Sequence, residues 1–281
     1  MSTRRVVTPS GEVTFDHGAQ YFTVRDPGFR KRVDAWVSQG CVASWGAAGA
    51  DAFVGVPGMN AVIRQMAEPL SVHWGARVID LLTHGTSWDV TLDAGSTLGV
   101  DALVVALPAE QAAELLRIVA PAWAARGQAT STAPCWTLML AFDAPLPIET
   151  DCIRGDAAET LGWAARNSAK PGRSDLEAWV LQGGPVWSER HIEADVDWVT
   201  ARLTEAFAEK VGLRLPIPIA SSTHRWRYAR SGVDGGGALW DGERRLGLCG
   251  DWLIGPRVEA AWVSGTLLAQ RITGWNEASI V

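Results

Sequence analysis

The sequence predicts a mixed α/β (α+β) fold, in which a parallel-type sheet flanked by helices is interleaved with a region built on a mixed or antiparallel sheet. Three observations predict it. The stretch DALVVALP (101–108) is continuously apolar after Asp101, the habit of a strand buried on both faces of a parallel sheet. LGLCGDWLIGPRVEAAWVSGTLLAQRI (246–272) reads as a buried strand, a Gly-Asp corner, a short loop and an apolar helix. Between the two lie alternating, Trp-rich stretches, LGWAARN (161–167), EAWVLQG (177–183) and PIASSTHRWRYA (218–229), of the kind antiparallel strands use.

The first elements are short strands at EVTF (12–15), AQYFTV (19–24) and CVASW (41–45). A helix fills 27–38, started by Asp26-Pro27, with Phe29, Val33 and Trp36 or Val37 at helical spacing and Gly40 beyond its end. VGVPGMNAVIRQMAEPL (54–70) is a Gly-Pro-Gly turn running into a helix that places Met59, Val62, Ile63 and Met66 on one face. SVHW (71–74), ARVIDLLT (76–83) and SWDVTLD (87–93) form a meander, and Pro108 ends the apolar run that follows. AEQAAELLRIV (109–119) is helical, CWTLMLAF (135–142) a strand, and 195–210 a further helix. In the closing helix, 257–273, the expected buried stripe is Val258, Ala261, Trp262, Gly265, Leu268 and Ile272.

Composition narrows the partners. The 281 residues carry 25 Lys plus Arg against 31 Asp plus Glu, a net charge of −6, so no basic field draws in a nucleic acid. No apolar run approaches the ~20 residues that span a bilayer, and MSTRRVVTPSG lacks the apolar core of a signal peptide, so the expectation is a cytoplasmic protein with no membrane partner. Cys41, Cys135, Cys152 and Cys249 form no CxxC pair, and His17, His73, His84, His191 and His224 show neither HxxxH nor HExxH spacing, which argues against a disulfide framework and a metal site.

The corner at Asp251 is the chemically suggestive feature. A helix N-terminus offers N–H donors to a phosphate or carbonyl, and an acid just before it suits a pair of hydroxyls, so the two together describe a sugar-phosphate or polyol-phosphate ligand. The alternative is that Asp251 caps a nearby turn.

GDWLIGPRVEAAWVSGTLLAQRI resembles the C-terminal FAD segment of the flavin amine oxidase superfamily. FDHGAQYFTVRDPGFR (15–30), VGVPGMNAVIRQMA (54–67), LGWAARNSAKPGR (161–173) and HRWRYAR (224–230) are similar, in order and spacing, to its renalase-like branch. The resemblance implies FAD as cofactor, with Gln20, Gly58, Val78, Asp251, Arg257 and Val258 as cofactor-binding positions. It places Trp163, Asn167, Lys170, His224 and Trp226 in the catalytic, substrate-facing set. His224, Trp226 and Tyr228 share one strand face, as either a site wall or a core face. The resemblance also implies an FAD-binding, Rossmann-like parallel sheet over 1–24, 56–108 and 243–281, and a substrate domain over 25–55 and 109–242.

Such flavoproteins open with a strand, a GxGxxG loop and a helix, a βαβ unit of roughly 30 or more residues. No GxGxxG lies between a buried strand and a helix here, so the expectation is a sheet lacking its first βαβ unit. The implied function is a renalase-like oxidase, moving hydride from a small reduced heterocycle to flavin and then to oxygen to give hydrogen peroxide. Its partners are a small-molecule substrate and oxygen, and the oligomeric state is left open. A flavin amine oxidase and an N-terminally truncated, non-catalytic remnant are the alternatives. Against the amine oxidase stands the scarcity of lysine: only Lys31, Lys170 and Lys210 occur, and of these only Lys170 lies in a motif.

Overall fold

Asp26 and Pro27 start the first helix as expected: the Asp26 carboxylate accepts the N–H of Phe29, and Pro27 occupies a position whose own N–H would have no partner. The computed structural model describes residues 1–274; the last positions of the expected 243–281 segment, 275–281, lie outside them. In chain order the elements are β1 (Thr3–Thr8), β2 (Gly11–Asp16), β3 (Phe22–Thr23), α1 (Pro27–Ser38), β4 (Val42–Ser44), β5 (Ala52–Gly55) and α2 (Ala61–Ala67). Next come β6 (Val78–Thr83), β7 (Trp88–Leu92), β8 (Thr97–Val100), β9 (Leu103–Val105), α3 (Ala109–Leu116) and α4 (Pro121–Ala129). Then follow β10 (Thr132–Phe142), β11 (Cys152–Arg154), β12 (Leu161–Arg166), β13 (Glu177–Gly183), α5 (Pro185–Arg190) and α6 (Val196–Val211). β14 (Ala220–Ser231), β15 (Leu239–Asp241), β16 (Leu246–Leu248) and α7 (Val258–Thr273) complete the chain.

These elements form two compact units. The first comprises residues 1–70 and 133–230, the second 71–132 and 231 onward. The centre of the first is an antiparallel sheet in the order β11-β12-β13-β10-β14, with a β1-β2 hairpin and a β3-β5-β4 sheet beside it. Strand β10 is buried on both faces over most of its length, which explains its largely apolar sequence. Leu138, Leu140 and Phe142 join Trp179 and the α6 residues Val199, Leu203 and Phe207, while Met139 and Ala141 join Val13, Phe15 and Val180.

In the second unit, the β6-β7-β8 meander, β9, β16 and the helices α3 and α4 share one core around Trp88, Leu116, Leu248, Trp252 and Leu253. β9 and β16 pair in parallel and β15 joins β16 antiparallel, so the mixed α/β architecture is as the sequence predicts.

Four details differ from expectation. The 101–108 run yields only the three-residue β9 at the edge of its sheet, where Val104 is 45% exposed; its apolar character does not reflect burial on both faces. SVHW (71–74) is not a strand, and Trp74 is exposed. The buried face of α7 is Glu259, Ala260, Ser264 and Leu268, so of the expected stripe Leu268 alone is fully buried; the Ser264 hydroxyl turns inward because it is used in bonding. Finally, the compact units divide the chain at other places than the expected domains: 1–24 and 56–70 fall in the first unit, and 109–132 in the second, where α3 and α4 pack on the core of β9 and β16.

Candidate functional site

In the first unit, the motif segments meet at a residue that the sequence reading did not single out. Asp16, at the end of β2, is fully buried. Its Oδ1 accepts from the Thr3 hydroxyl at 2.8 Å and the Met59 N–H at 2.9 Å, and its Oδ2 accepts from Lys170 Nζ at 3.4 Å and Arg173 Nη2 at 2.5 Å. One carboxylate thus ties β1, the 57–60 turn and the 167–173 loop together. Burial alone would raise its pKa, but Lys170, Arg173 and the Met59 N–H outweigh that and hold the carboxyl below its ordinary range.

The predicted residues Gln20, Asn167 and Lys170 all belong to this cluster. Lys170 is 2% exposed, and its ammonium also donates to Gln20 Oε1 at 3.1 Å and Asn167 Oδ1 at 3.2 Å, while lying 5.2 Å from the centre of the Trp45 ring. Burial pushes its pKa down to about 8 against the pull of Asp16. The Gln20 amide donates to the carbonyls of Asp16 and Gly18, and Asn167 bridges by donating to the Thr14 carbonyl and accepting the Asp16 N–H. Arg173 completes the cluster by donating to the carbonyls of Gly55 and Pro171. Gly58 lies in the same turn as Met59, and an added Cβ would fall 2.8 Å from Thr3 Oγ1. A side chain there would have to displace the Thr3 hydroxyl that bonds Asp16.

Trp163 stands in a separate aromatic group. Its ring centroid is 5.5 Å from that of Tyr21 at 33°, Arg154 lies 4.7 Å over it, and its buried indole N–H has no partner among the described residues.

His224 and Trp226 form a third group with His17. The rings of His17 and Trp226 stack at 5.3 Å, His224 packs edge-on to both, and the Trp226 N–H donates to the His17 carbonyl. Tyr228, on the same strand, is 40% exposed. Burial first, then Arg4 and His224, push the His17 pKa down to about 4. The folded state therefore keeps His17 neutral where the unfolded chain, at about 6.5, takes up a proton. Stability is lost as pH falls from about 6.5 to about 4, by at most about 3 kcal/mol. Urea unfolding at pH 7 and pH 4.5 reads this loss, and His17→Phe makes the profile flatter.

The second unit holds Val78, Asp251, Arg257 and Val258. Asp251 is the first residue of a tight turn after β16, with its Oδ1 accepting the N–H of the next residue, Trp252, at 2.9 Å, and no side chain caps that turn. The carboxyl is half-buried, and that burial raises its pKa. Gly250 precedes it because an added Cβ would fall 2.8 Å from the indole nitrogen of Trp252. Arg257 is the N-cap residue of α7 and Val258 its first residue, and no side chain caps that end. Val78 begins β6 opposite Leu92 and packs against the core of this unit.

Residues 40–273 match the flavin containing amine oxidoreductase family, and the chain belongs to that family. Among solved structures, a redesigned putrescine oxidase triple mutant is 14% identical with a TM-score of 0.66, covering 82% of this chain and 56% of that one. Wild-type putrescine oxidase bound to putrescine is 15% identical with a TM-score of 0.61, over 79% of this chain and 54% of that one. Cyclohexylamine oxidase from Brevibacterium oxydans IH-35A is 15% identical with a TM-score of 0.59, over 80% and 54%. The fold is therefore shared, and the chain spans just over half the length of these proteins. Among the described residues no helix is long and apolar enough to cross a membrane.

Proposed function

We propose that this chain belongs to an FAD-dependent oxidoreductase of renalase-like type, which removes hydride from a small, reduced, dihydronicotinamide-like heterocycle and passes the electrons to oxygen to give hydrogen peroxide. Bound FAD would supply the hydride acceptor and the route to oxygen. The observation that carries the reading is the uncapped start of α7 directly after the Asp251 corner, in a segment that the family match covers. The first-turn N–H groups of such a helix suit an electron-rich ring edge, and the Asp251 carboxylate suits the hydroxyls of a polyol chain.

In this reading the second unit supplies Val78, Asp251, Arg257 and Val258 to the cofactor, and Gln20 and Gly58 keep the cofactor role that the resemblance implies. The Asp16 cluster holds Gln20, Asn167 and Lys170 in fixed positions, while Trp163, His224 and Trp226 present flat surfaces for a planar substrate ring. The enclosed ammonium of Lys170 keeps a positive charge in the cluster below a pH of about 8.

The test is the spectrum of the purified chain after FAD is added and the excess removed. Retained flavin absorbance that is bleached anaerobically by dihydronicotinamide isomers supports the reading, bleaching by simple amines supports the flavin amine oxidase alternative, and no retained flavin overturns both. Asp251→Asn keeps an acceptor for the Trp252 N–H and removes the charge. It weakens FAD binding about tenfold, as expected for a charge-assisted hydrogen bond made neutral. The urea midpoint does not fall, because the substitution removes a charge that burial disfavours.

A further inference from the structure

Strand β14 treats the cations on its two faces differently. On one face, Arg225 and Arg227 both reach Glu193, at 2.8 Å and 2.5 Å, so the protein supplies their counter-ion. On the other face, the even-numbered Ser222 and His224 meet Arg4 of β1: Arg4 Nη1 donates to Ser222 Oγ at 2.7 Å, and Nη2 lies 3.4 Å from His224 Nδ1. Among the described residues no carboxylate lies within ion-pair distance of Arg4. Its neighbours are two imidazoles and a hydroxyl. Asp16, the acid next to His17 in the sequence, is committed to Lys170 and Arg173. Arg4, Ser222 and His224 are each half-buried, so the guanidinium is partly desolvated yet still reachable.

A partly buried guanidinium without a counter-ion, facing groups that can donate hydrogen bonds, is a site short of one negative charge. Burial and Arg4 push both His17 and His224 toward their neutral forms, as expected where the anion is missing. We propose that Arg4, Ser222 and His224, backed by His17 and its stacked partner Trp226, form a subsite for an oxyanion carried by the substrate, a phosphate or a carboxylate. The planar donor fork of Arg4 matches either group through two parallel bonds, with the Ser222 hydroxyl as a third donor. This rests on and deepens the reading of His224 and Trp226 as substrate-facing residues, and it singles out substrates whose ring bears an anionic arm.

The test needs no flavin, so its failure is distinct from that of the functional reading. Imidazole signals of the full-length chain are followed by NMR at pH 7 while inorganic phosphate, and separately acetate, is added against sodium chloride of equal ionic strength. The expected result is a saturable shift of the His224 and His17 signals with phosphate or acetate but not chloride, the tighter of the two identifying the arm. Arg4→Gln is expected to weaken the response at least tenfold, and Arg4→Lys to keep part of it. His224→Asn provides a second variant should Arg4→Gln not fold. A response no different from chloride, or one unchanged in Arg4→Gln, overturns the proposal.

Discussion

Asp16→Asn destabilises the first unit by about 3–5 kcal/mol, the cost of removing one partner from a buried ion cluster, and lowers its Tm by roughly 6–20 °C. The size follows from the charges it leaves behind. With the carboxylate gone, Lys170 and Arg173 face each other with side chains fully withdrawn from solvent and no counter-ion between them. The Thr3 and Met59 donors also lose the ionised form of their acceptor. Against a total stability of ~5–15 kcal/mol for a typical protein, this is a large share. Lys170→Met is the informative comparison. Burial already pushes the lysine toward its neutral form, and Arg173 still neutralises Asp16, so that variant stays within about 1 kcal/mol of the parent. Thermal melts and urea titrations of the two variants decide the matter. Equal losses in both would show that Asp16 is not the hub.

Trp252→Ala is the second large effect. The side chain is fully buried in the core that β9, β16, α3 and α4 share, and its N–H donates to the Leu107 carbonyl at 3.1 Å. Truncation removes that bulk and leaves a cavity, at a cost of about 3–5 kcal/mol, and it strips a buried carbonyl of its donor. Trp252→Phe separates the terms, because it keeps most of the ring and gives up only the hydrogen bond, at about 1–3 kcal/mol. Both variants also loosen the Gly250-Asp251 corner, which is packed against the indole. FAD retention is therefore expected to fall in Trp252→Ala by more than stability alone accounts for, as read by flavin absorbance at a urea concentration where the variant is still folded.

Local signals were the legible part of the sequence. Asp26-Pro27 marks the start of α1, and the helix expected over 195–210 is α6, because capping and periodicity are short-range properties. β9 and β16 pair in parallel where two apolar runs lie, although the first run is not buried on both faces. The illegible part is long-range. Asp16 meets Lys170 and Arg173 across more than 150 positions, and Arg4 meets Ser222 and His224 across more than 200, so no window of sequence contains either set. The motif around FDHGAQYF pointed to Gln20, whereas the residue holding that segment in place is the aspartate four positions earlier. The buried face of α7 was misread for a different reason. Apolarity would turn Ile272 inward, yet Ile272 is 41% exposed and Ser264 is fully buried.

That serine has a consequence of its own. Ser264 Oγ accepts the N–H of Gly250 at 3.0 Å and donates to the Gly237 carbonyl at 2.6 Å. A single hydroxyl thus fastens the acidic corner to the end of a run of three glycines, a second tie beside the bond from the Gly237 N–H to the Leu253 carbonyl. Alanine would fit the same space and preserve the slim profile of the helix, yet it would cut both tethers at once. What looks from composition like a spacer is a rivet.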